Sequence, residues 1–134
     1  MPKQDCGDQG LIPKLFRVIL PVSDIERAAT FYSTLFGVPG KRVSSGRHYF
    51  DCGGTILACF DPKADGDKFE LDPNPDHIYF AVDDLEQKFM ILRNVLGVSP
   101  SEIKVRPWGE RSFYFKDPFS NKVCFVDEKT MFTG

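Results

Sequence analysis

A stretch of 21 residues occurs twice in this chain, 60 positions apart and without a gap. Val18–Val38 reads VILPVSDIERAATFYSTLFGV, and Ile78–Val98 reads IYFAVDDLEQKFMILRNVLGV. Five positions are identical: Val22/Val82, Asp24/Asp84, Glu26/Glu86, Gly37/Gly97 and Val38/Val98. Most of the others exchange one apolar residue for another. Each copy opens on apolar residues, turns through an acidic step into a helical period and stops at glycine, which predicts strand, cap, helix and C-terminal cap, made twice. A duplicated unit of this kind implies a scaffold with pseudo-twofold symmetry and a ligand site where its halves meet.

The flanking residues extend each unit. Leu15–Pro21 alternates and is β-rich. Ser23 with Glu26, and Asp83 with Glu86, fit capping boxes in which the first side chain reaches forward and the carboxylate reaches back. The first helix is predicted from about Asp24 to Phe36, with an apolar stripe of Ile25, Ala28, Ala29, Tyr32, Leu35 and Phe36. The second shows Leu85, Phe89, Leu92, Val95 and Leu96. Gly37 and Gly97 are placed as left-handed caps. Three short β-type runs follow each helix: Gly40–Ser45, Arg47–Cys52 and Thr55–Phe60, then Ile103–Trp108, Arg111–Lys116 and Lys122–Asp127. Gly53-Gly54 and Asp117-Pro118-Phe119-Ser120-Asn121 supply hairpin turns. The expectation is an α+β fold of two tandem βαβββ modules, forming a curled mixed β-sheet cleft with helices outside. Module one covers about 14–61, a linker rich in Asp, Pro and Lys covers 62–76, and module two covers about 77–128, all within one domain, 1–134.

Composition narrows the function. A net charge of −2 argues against a nucleic-acid binder, which needs a basic face. No apolar run reaches the ~18 residues needed to span a bilayer. Met1–Leu11 reads as a loose tail, and its polar Met1–Gly10 as neither signal peptide nor anchor, so a cytoplasmic location is expected by default. Cys6, Cys52, Cys59 and Cys124 form no CxxC pair and no zinc-type spacing, and are read as free thiols of a reducing compartment. Most of the thirteen Phe are expected in the core.

Strand parity assigns the two sheet faces. Val18, Leu20 and Val22, and likewise Ile78, Phe80 and Val82, form purely apolar sets that should face the helices. Arg17, Ile19 and Pro21, and His77, Tyr79 and Ala81, would face the cleft. Cys59 falls on the helix side by the same argument. His48, beside Arg47 and Tyr49, gains no specific role.

The ordered repeat, together with VSDIERAATFYSTLFGV, HIYFAVDDLEQ and WGERSFYFKDPFSNKVCFVDE, resembles the vicinal oxygen chelate superfamily, which includes glyoxalase I, bleomycin-resistance proteins, fosfomycin-resistance enzymes and extradiol dioxygenases. The resemblance runs from about Lys14 to Glu128, and the FYFKDPFSNKVCF hairpin is its most characteristic part. It implies that metal-dependent members place ligands at four positions, which here are Arg17, Ala58, His77 and Cys124. Only His77 is a conventional ligand. Arg17 is a permanent cation and would repel a divalent ion, and a His–Cys pair alone does not make a zinc site. No metal and no other cofactor is therefore expected, with a divalent metal on non-standard ligands, His48 among the candidates, as the alternative.

Without a metal, the chain is closest in character to the bleomycin-resistance-like branch, which implies an aromatic-lined ligand groove. The candidate lining is Arg17, Phe60, His77, Tyr79, Trp108, Tyr114 and Cys124. Tyr114 matches a cleft tyrosine of the dioxygenase branch, or is an ordinary core or surface aromatic. Trp108 either packs or stacks on ligand. Arg17 either clamps an oxyanion or makes a structural ion pair; Lys116 and Lys122 share cleft parity and would add to a basic pocket. His77 and Cys124 suggest a nucleophilic pair or a satisfied cleft histidine beside a thiol.

The leading expectation is a metal-independent small-molecule binding protein with an aromatic, partly basic cleft and an anionic or aromatic ligand. Two alternatives remain. One is an enzyme: a metal-dependent lyase, glutathione or thiol transferase or dioxygenase with a non-standard site, or an acid–base catalyst using His77 and Tyr114. The other is a scaffold for protein–protein contact. Neither nucleic acid nor membrane is expected as a partner. By analogy with the superfamily a homodimer is expected, and the linker is long enough for modules to exchange between chains.

Overall fold

The computed structural model describes residues 11–134. The tail proposed for 1–11 falls outside the described residues except for Leu11, and so does Cys6. The chain builds β1 (Arg17–Pro21), α1 (Ile25–Phe36), β2 (Lys41–Ser44), β3 (Arg47–Cys52) and β4 (Thr55–Phe60), then β5 (Ile78–Val82), α2 (Leu85–Asn94), β6 (Lys104–Val105), β7 (Arg111–Lys116) and β8 (Lys122–Asp127). The result is an α+β fold of two βαβββ modules, each a four-stranded mixed sheet with one helix. The strand orders are β1-β4-β3-β2 and β5-β8-β7-β6. In each sheet the first strand lies parallel to the last, and the remaining pairs are antiparallel.

The helix starts differ from the capping boxes expected. Asp24 caps α1 by accepting from the Arg27 amide at 3.1 Å, and Asp84 caps α2 by accepting from the Gln87 amide at 3.0 Å. Both caps stand one residue later than Ser23 and Asp83. A short carboxylate at that position already reaches the third helical amide, which leaves each following glutamate free. Glu26 takes a bidentate pair from Arg42, and Glu86 one from Arg111. Gly37 ends α1 at φ +76°, with its amide donating to Ser33. In the second module α2 stops at Asn94, Gly97 takes φ +68°, and the Val98 amide closes the end on the Leu92 carbonyl.

Alternation sorts the strands as parity requires. Leu20, Phe50 and Leu57 of the first sheet, with Val22 just past β1, join Ile25, Ala28, Phe31, Tyr32 and Leu35 of α1 in the core. That core continues through Leu85, Leu92, Phe113, Phe115, Val123 and Phe125 of the second module, with Ile78, Phe80 and Val82 packed against it. Phe31 replaces Ala29 in the fully buried set of α1, and Val95 is two-thirds exposed because α2 ends before it. The run Ile103–Trp108 contributes only the two-residue β6; Arg106 turns back through an Arg106 amide to Glu110 carbonyl bond at 2.7 Å. Part of the linker winds into a short 3-10 turn, Lys63–Asp65.

The two modules are joined by apolar and polar contacts. Phe36 packs on Phe50 of its own sheet and on Phe80 of the other, with ring centroids 5.4 and 5.6 Å away. The Lys88 ammonium of α2 donates to the Leu35 carbonyl at the end of α1 (2.9 Å). Most of the polar joint centres on the β7–β8 hairpin. Asp117 accepts from the buried Tyr32 hydroxyl at 2.7 Å and from the amides of Phe119 and Asn121. The Asn121 amide group donates both to Asp117 and to the Pro21 carbonyl of β1. Asn74, in the linker, donates to Asn121 from its backbone and to the Ile19 carbonyl from its side chain. Every member is thus satisfied by another, which is what a buried polar cluster requires. Burial and the Asp117 charge push the Tyr32 hydroxyl well above the usual tyrosine pKa, so it remains a donor.

Candidate ligand-binding site

Tyr79, which parity assigned to the cleft face, and Cys124 and Tyr114, which the resemblance added to the lining, form an ordered row across the second sheet. Tyr79 on β5 stands opposite Cys124 on β8, which stands opposite Tyr114 on β7. Next to this row, His77 sets its ring edge-on to Tyr114, with centroids 4.8 Å apart, and lies 6.3 Å from Tyr79. Tyr79 is 58% exposed, Tyr114 is half-buried and Cys124 lies beneath them with no exposed surface. Burial and the neighbouring Tyr114 raise the Tyr79 pKa. His77, Tyr79, Tyr114 and Cys124 are therefore brought together on one face.

Cys124 is not an activated nucleophile. Burial drives its thiol pKa up to about 11, against smaller lowering effects of a Ser112 hydrogen bond and the Arg106 charge. A thiol held that high carries little thiolate at neutral pH and is poorly suited to attack. Cys59 lies on the helix side, as parity predicts, and burial pushes it to about 12. His48 is absorbed structurally, its two ring nitrogens meeting the Pro39 carbonyl and the Arg42 Nε.

Arg17 and Phe60 belong to the other sheet. Arg17 places its guanidinium 4.8 Å from the Phe16 ring and 5.4 Å from Tyr49, and no carboxylate among the described residues lies within ion-pair distance. Phe60 is nearly buried under Arg47, whose guanidinium sits 3.9 Å from the ring centroid. The row Ile19–Ala58–Tyr49 occupies, in the first sheet, the place of Tyr79–Cys124–Tyr114 in the second. Among the described residues no hydrogen bond, ion pair or ring contact links the Arg17 group to the His77 group. Trp108 sits apart, 49% exposed on the turn before β7, and donates to Glu110 at 2.8 Å.

Sequence reasoning missed Tyr49, Arg47, Arg106 and Ser112. Tyr49 was within reach: it pairs with Ala58 as Tyr114 pairs with Cys124, so the strand parity already used for the second sheet places it on the same face. Arg106 carried no such signal, because it leaves the two-residue β6 and returns over the sheet. Its guanidinium lies 4.7 Å from the Tyr114 centroid, with Nε donating to Ser112 Oγ at 2.9 Å and Nη2 to the Ser112 carbonyl at 3.2 Å.

The four positions where the superfamily resemblance implies metal ligands therefore hold a ring-stacked arginine, a buried alanine, a histidine against tyrosine and a buried thiol. Among the described residues, no three His, Cys, Asp or Glu side chains gather as a metal site. This donor set does not fit a divalent ion. A separate cavity of about 890 Å³ runs between the helix-facing side of the first sheet and β5, lined by Val18, Phe36, Phe50, Leu57, Phe80 and Val82 among others. Of the lining predicted from sequence, it includes only Tyr79.

No curated protein matches the chain. Solved structures do. The chain is similar to a lactoylglutathione lyase from Agrobacterium tumefaciens, at 24% identity and TM-score 0.66, covering 87% of this chain and 94% of that one. It is similar to a member of the glyoxalase/bleomycin resistance protein/dioxygenase superfamily from Sphaerobacter thermophilus, at 22% identity and TM-score 0.69, covering 88% and 99%. A bleomycin resistance determinant encoded on the transposon Tn5 aligns at 18% identity and TM-score 0.66, over 87% and 99%. At such identities the likeness is one of fold. The family model described as Glyoxalase/Bleomycin resistance protein/Dioxygenase superfamily matches residues 14–125. With that match spanning most of the sequence over the paired βαβββ modules, the chain belongs to the glyoxalase/bleomycin resistance protein/dioxygenase superfamily.

Proposed function

We propose that this superfamily member is a metal-independent binding protein for a small aromatic molecule, seated on the sheet face that carries His77, Tyr79 and Tyr114. The observation that carries this reading is the Tyr79–Cys124–Tyr114 row with His77 against it. It offers ring faces, two hydroxyls and an imidazole around a dry thiol. Aromatic faces with a few polar groups are the chemistry a small-molecule site uses. The absence of a workable donor set at Arg17, Ala58 and Cys124 supports the metal-free part of the proposal.

The test is metal retention. The protein is exposed to zinc, nickel, manganese and ferrous iron, desalted and analysed for bound metal. Far less than one ion per chain is expected. A near-stoichiometric ion that disappears in His77→Ala would overturn the reading and point to a metal-dependent lyase, transferase or dioxygenase.

A second reading rests on His77 lying edge-on to Tyr114: a general acid–base pair acting on a bound substrate. Turnover of an isomerisation or thiol-addition substrate that is lost in His77→Ala, with binding retained, would establish it. We further propose a homodimer. The solvent-exposed Met90 and Val95 of the α2 segment support this, since α2 buries far less of itself than α1. Light scattering on the eluting protein distinguishes dimer from monomer.

A further inference from the structure

We infer that the ligand of this face is an aromatic acid, and that Arg106 is the residue that selects its oxyanion. This inference rests on the aromatic-site reading above and names the class of molecule the site takes.

Arg106 is built as a receptor. Two of its hydrogen-bonding groups are committed to Ser112, Nε to the hydroxyl and Nη2 to the carbonyl, and its guanidinium carbon sits 4.7 Å from the Tyr114 ring centroid. A guanidinium fixed by two bonds and a ring has lost most of its freedom before any ligand arrives, so little entropy remains to be lost on binding. Its Nη1 makes no hydrogen bond among the described residues, and no carboxylate lies within ion-pair distance of the group.

The arginines committed to structure look different. Arg42 and Arg111 each fold bidentately onto a helix glutamate, and Arg47 reaches Asp65. Arg106 alone of the four keeps donor capacity beside the His77–Tyr114 pair. Charges of both signs lie around it. Lys116 and Lys122 face each other across β7 and β8 at the far end of the same face. The neighbouring carboxylate, Glu110, is occupied by the Trp108 indole and the Phe132 amide. Arg106 thus offers a cationic edge with one nitrogen free of hydrogen bonds among the described residues, beside an aromatic surface. A planar ring resting on Tyr79 or Tyr114 brings a carboxylate substituent to the Arg106 edge, where a charge-assisted bond forms. A neutral aromatic has the ring contact and lacks the bond.

The experiment titrates the full-length chain calorimetrically with 4-hydroxybenzoate, its uncharged methyl ester and phenyl phosphate. The acid is expected to bind about tenfold or more tighter than the ester, the ratio one charged hydrogen bond supports. In Arg106→Gln that ratio falls to near one, while the ester's affinity stays close to its original value. Arg106→Lys retains part of the preference, because the charge remains and the planar fork does not. If Arg106→Gln melts early, Ser112→Ala replaces it, and releasing the guanidinium should still erode the ratio. Acid and ester binding equally in the unaltered chain, or a ratio that Arg106→Gln leaves intact, overturns the inference while the aromatic-site reading stands. Binding of none of the three overturns both. Tighter binding of phenyl phosphate with the same Arg106 dependence supports oxyanion selection and assigns it to phosphate.

Discussion

The two modules share a plan and use it differently. In the first, α1 buries Ile25, Ala28, Phe31, Tyr32 and Leu35, and the β1 carbonyls of Ile19 and Pro21 are capped by Asn74 and Asn121. In the second, α2 buries only Leu85 and Leu92, and β5 leaves Tyr79 and Ala81 exposed. The polar groups of the joint between modules are buried and mutually satisfied, whereas those of the second sheet's open face are half-wet and carry spare bonding capacity. One duplicated unit has thus become mainly a support, and its twin mainly a presented surface. Where polar side chains are saturated they specify the fold; where they are not, they are available to a ligand.

That contrast can be broken most forcefully at Asp117. Asp117→Ala leaves the Tyr32 hydroxyl, two amides and the Asn121 side chain short of an acceptor. A loss of about 3 kcal/mol or more is expected, lowering Tm by roughly 10 °C for a chain of this size; scanning calorimetry measures it. On the open face the pattern should invert. Tyr79→Ala, at a mostly exposed ring, is expected to change stability by less than about 1 kcal/mol and to weaken 4-hydroxybenzoate binding by about tenfold or more. A Tyr79→Ala chain as unstable as Asp117→Ala would erase the distinction.

Smaller effects sharpen it. Ser120, in the hairpin of the joint, is the one non-glycine among the described residues with positive φ, at +67°. Ser120→Gly should stabilise by about 0.5–1 kcal/mol, since glycine takes this conformation without the Cβ penalty, and urea midpoints resolve such a change. The least effect is expected from the exposed clamps. The hydrogen bond and charge of Arg42 lower the Glu26 pKa, and the hydrogen bond of Arg111 is the main cause lowering that of Glu86. A carboxyl depressed in the folded state adds stability above its unfolded value near 4.5 and loses it as pH falls through the folded pKa. Glu26→Gln and Glu86→Gln should therefore flatten the acid limb of the stability curve slightly, with the difference shrinking in high salt. A large neutral-pH loss in either variant would show that these clamps belong with the buried joint.

Much of this architecture was legible in the chain. The 21-residue repeat, the period-2 strands and the glycine stops announced two βαβββ units, because each is a local pattern of side-chain size and polarity. The same local logic separated Leu20 and Phe80 from His77 and Tyr79, while Tyr114 and Cys124 were added to that face by the superfamily resemblance. It slipped by one residue at the helix caps, where Ser23 and Asp24, or Asp83 and Asp84, are both chemically able to cap and only backbone geometry chooses between them.

What the chain alone did not determine are encounters between residues distant in sequence. Asp117 meeting Tyr32, Asn121 meeting Pro21, and Phe36 meeting Phe80 depend on how one module seats on the other. Arg106 folding over Tyr114 depends on a strand that ends after two residues. The pKa of Cys124 likewise follows from its burial between neighbouring strands. Periodicity reports which face a side chain takes, and that is a property of its own backbone; partners and burial are properties of what packs against that face, and only the tertiary structure supplies them.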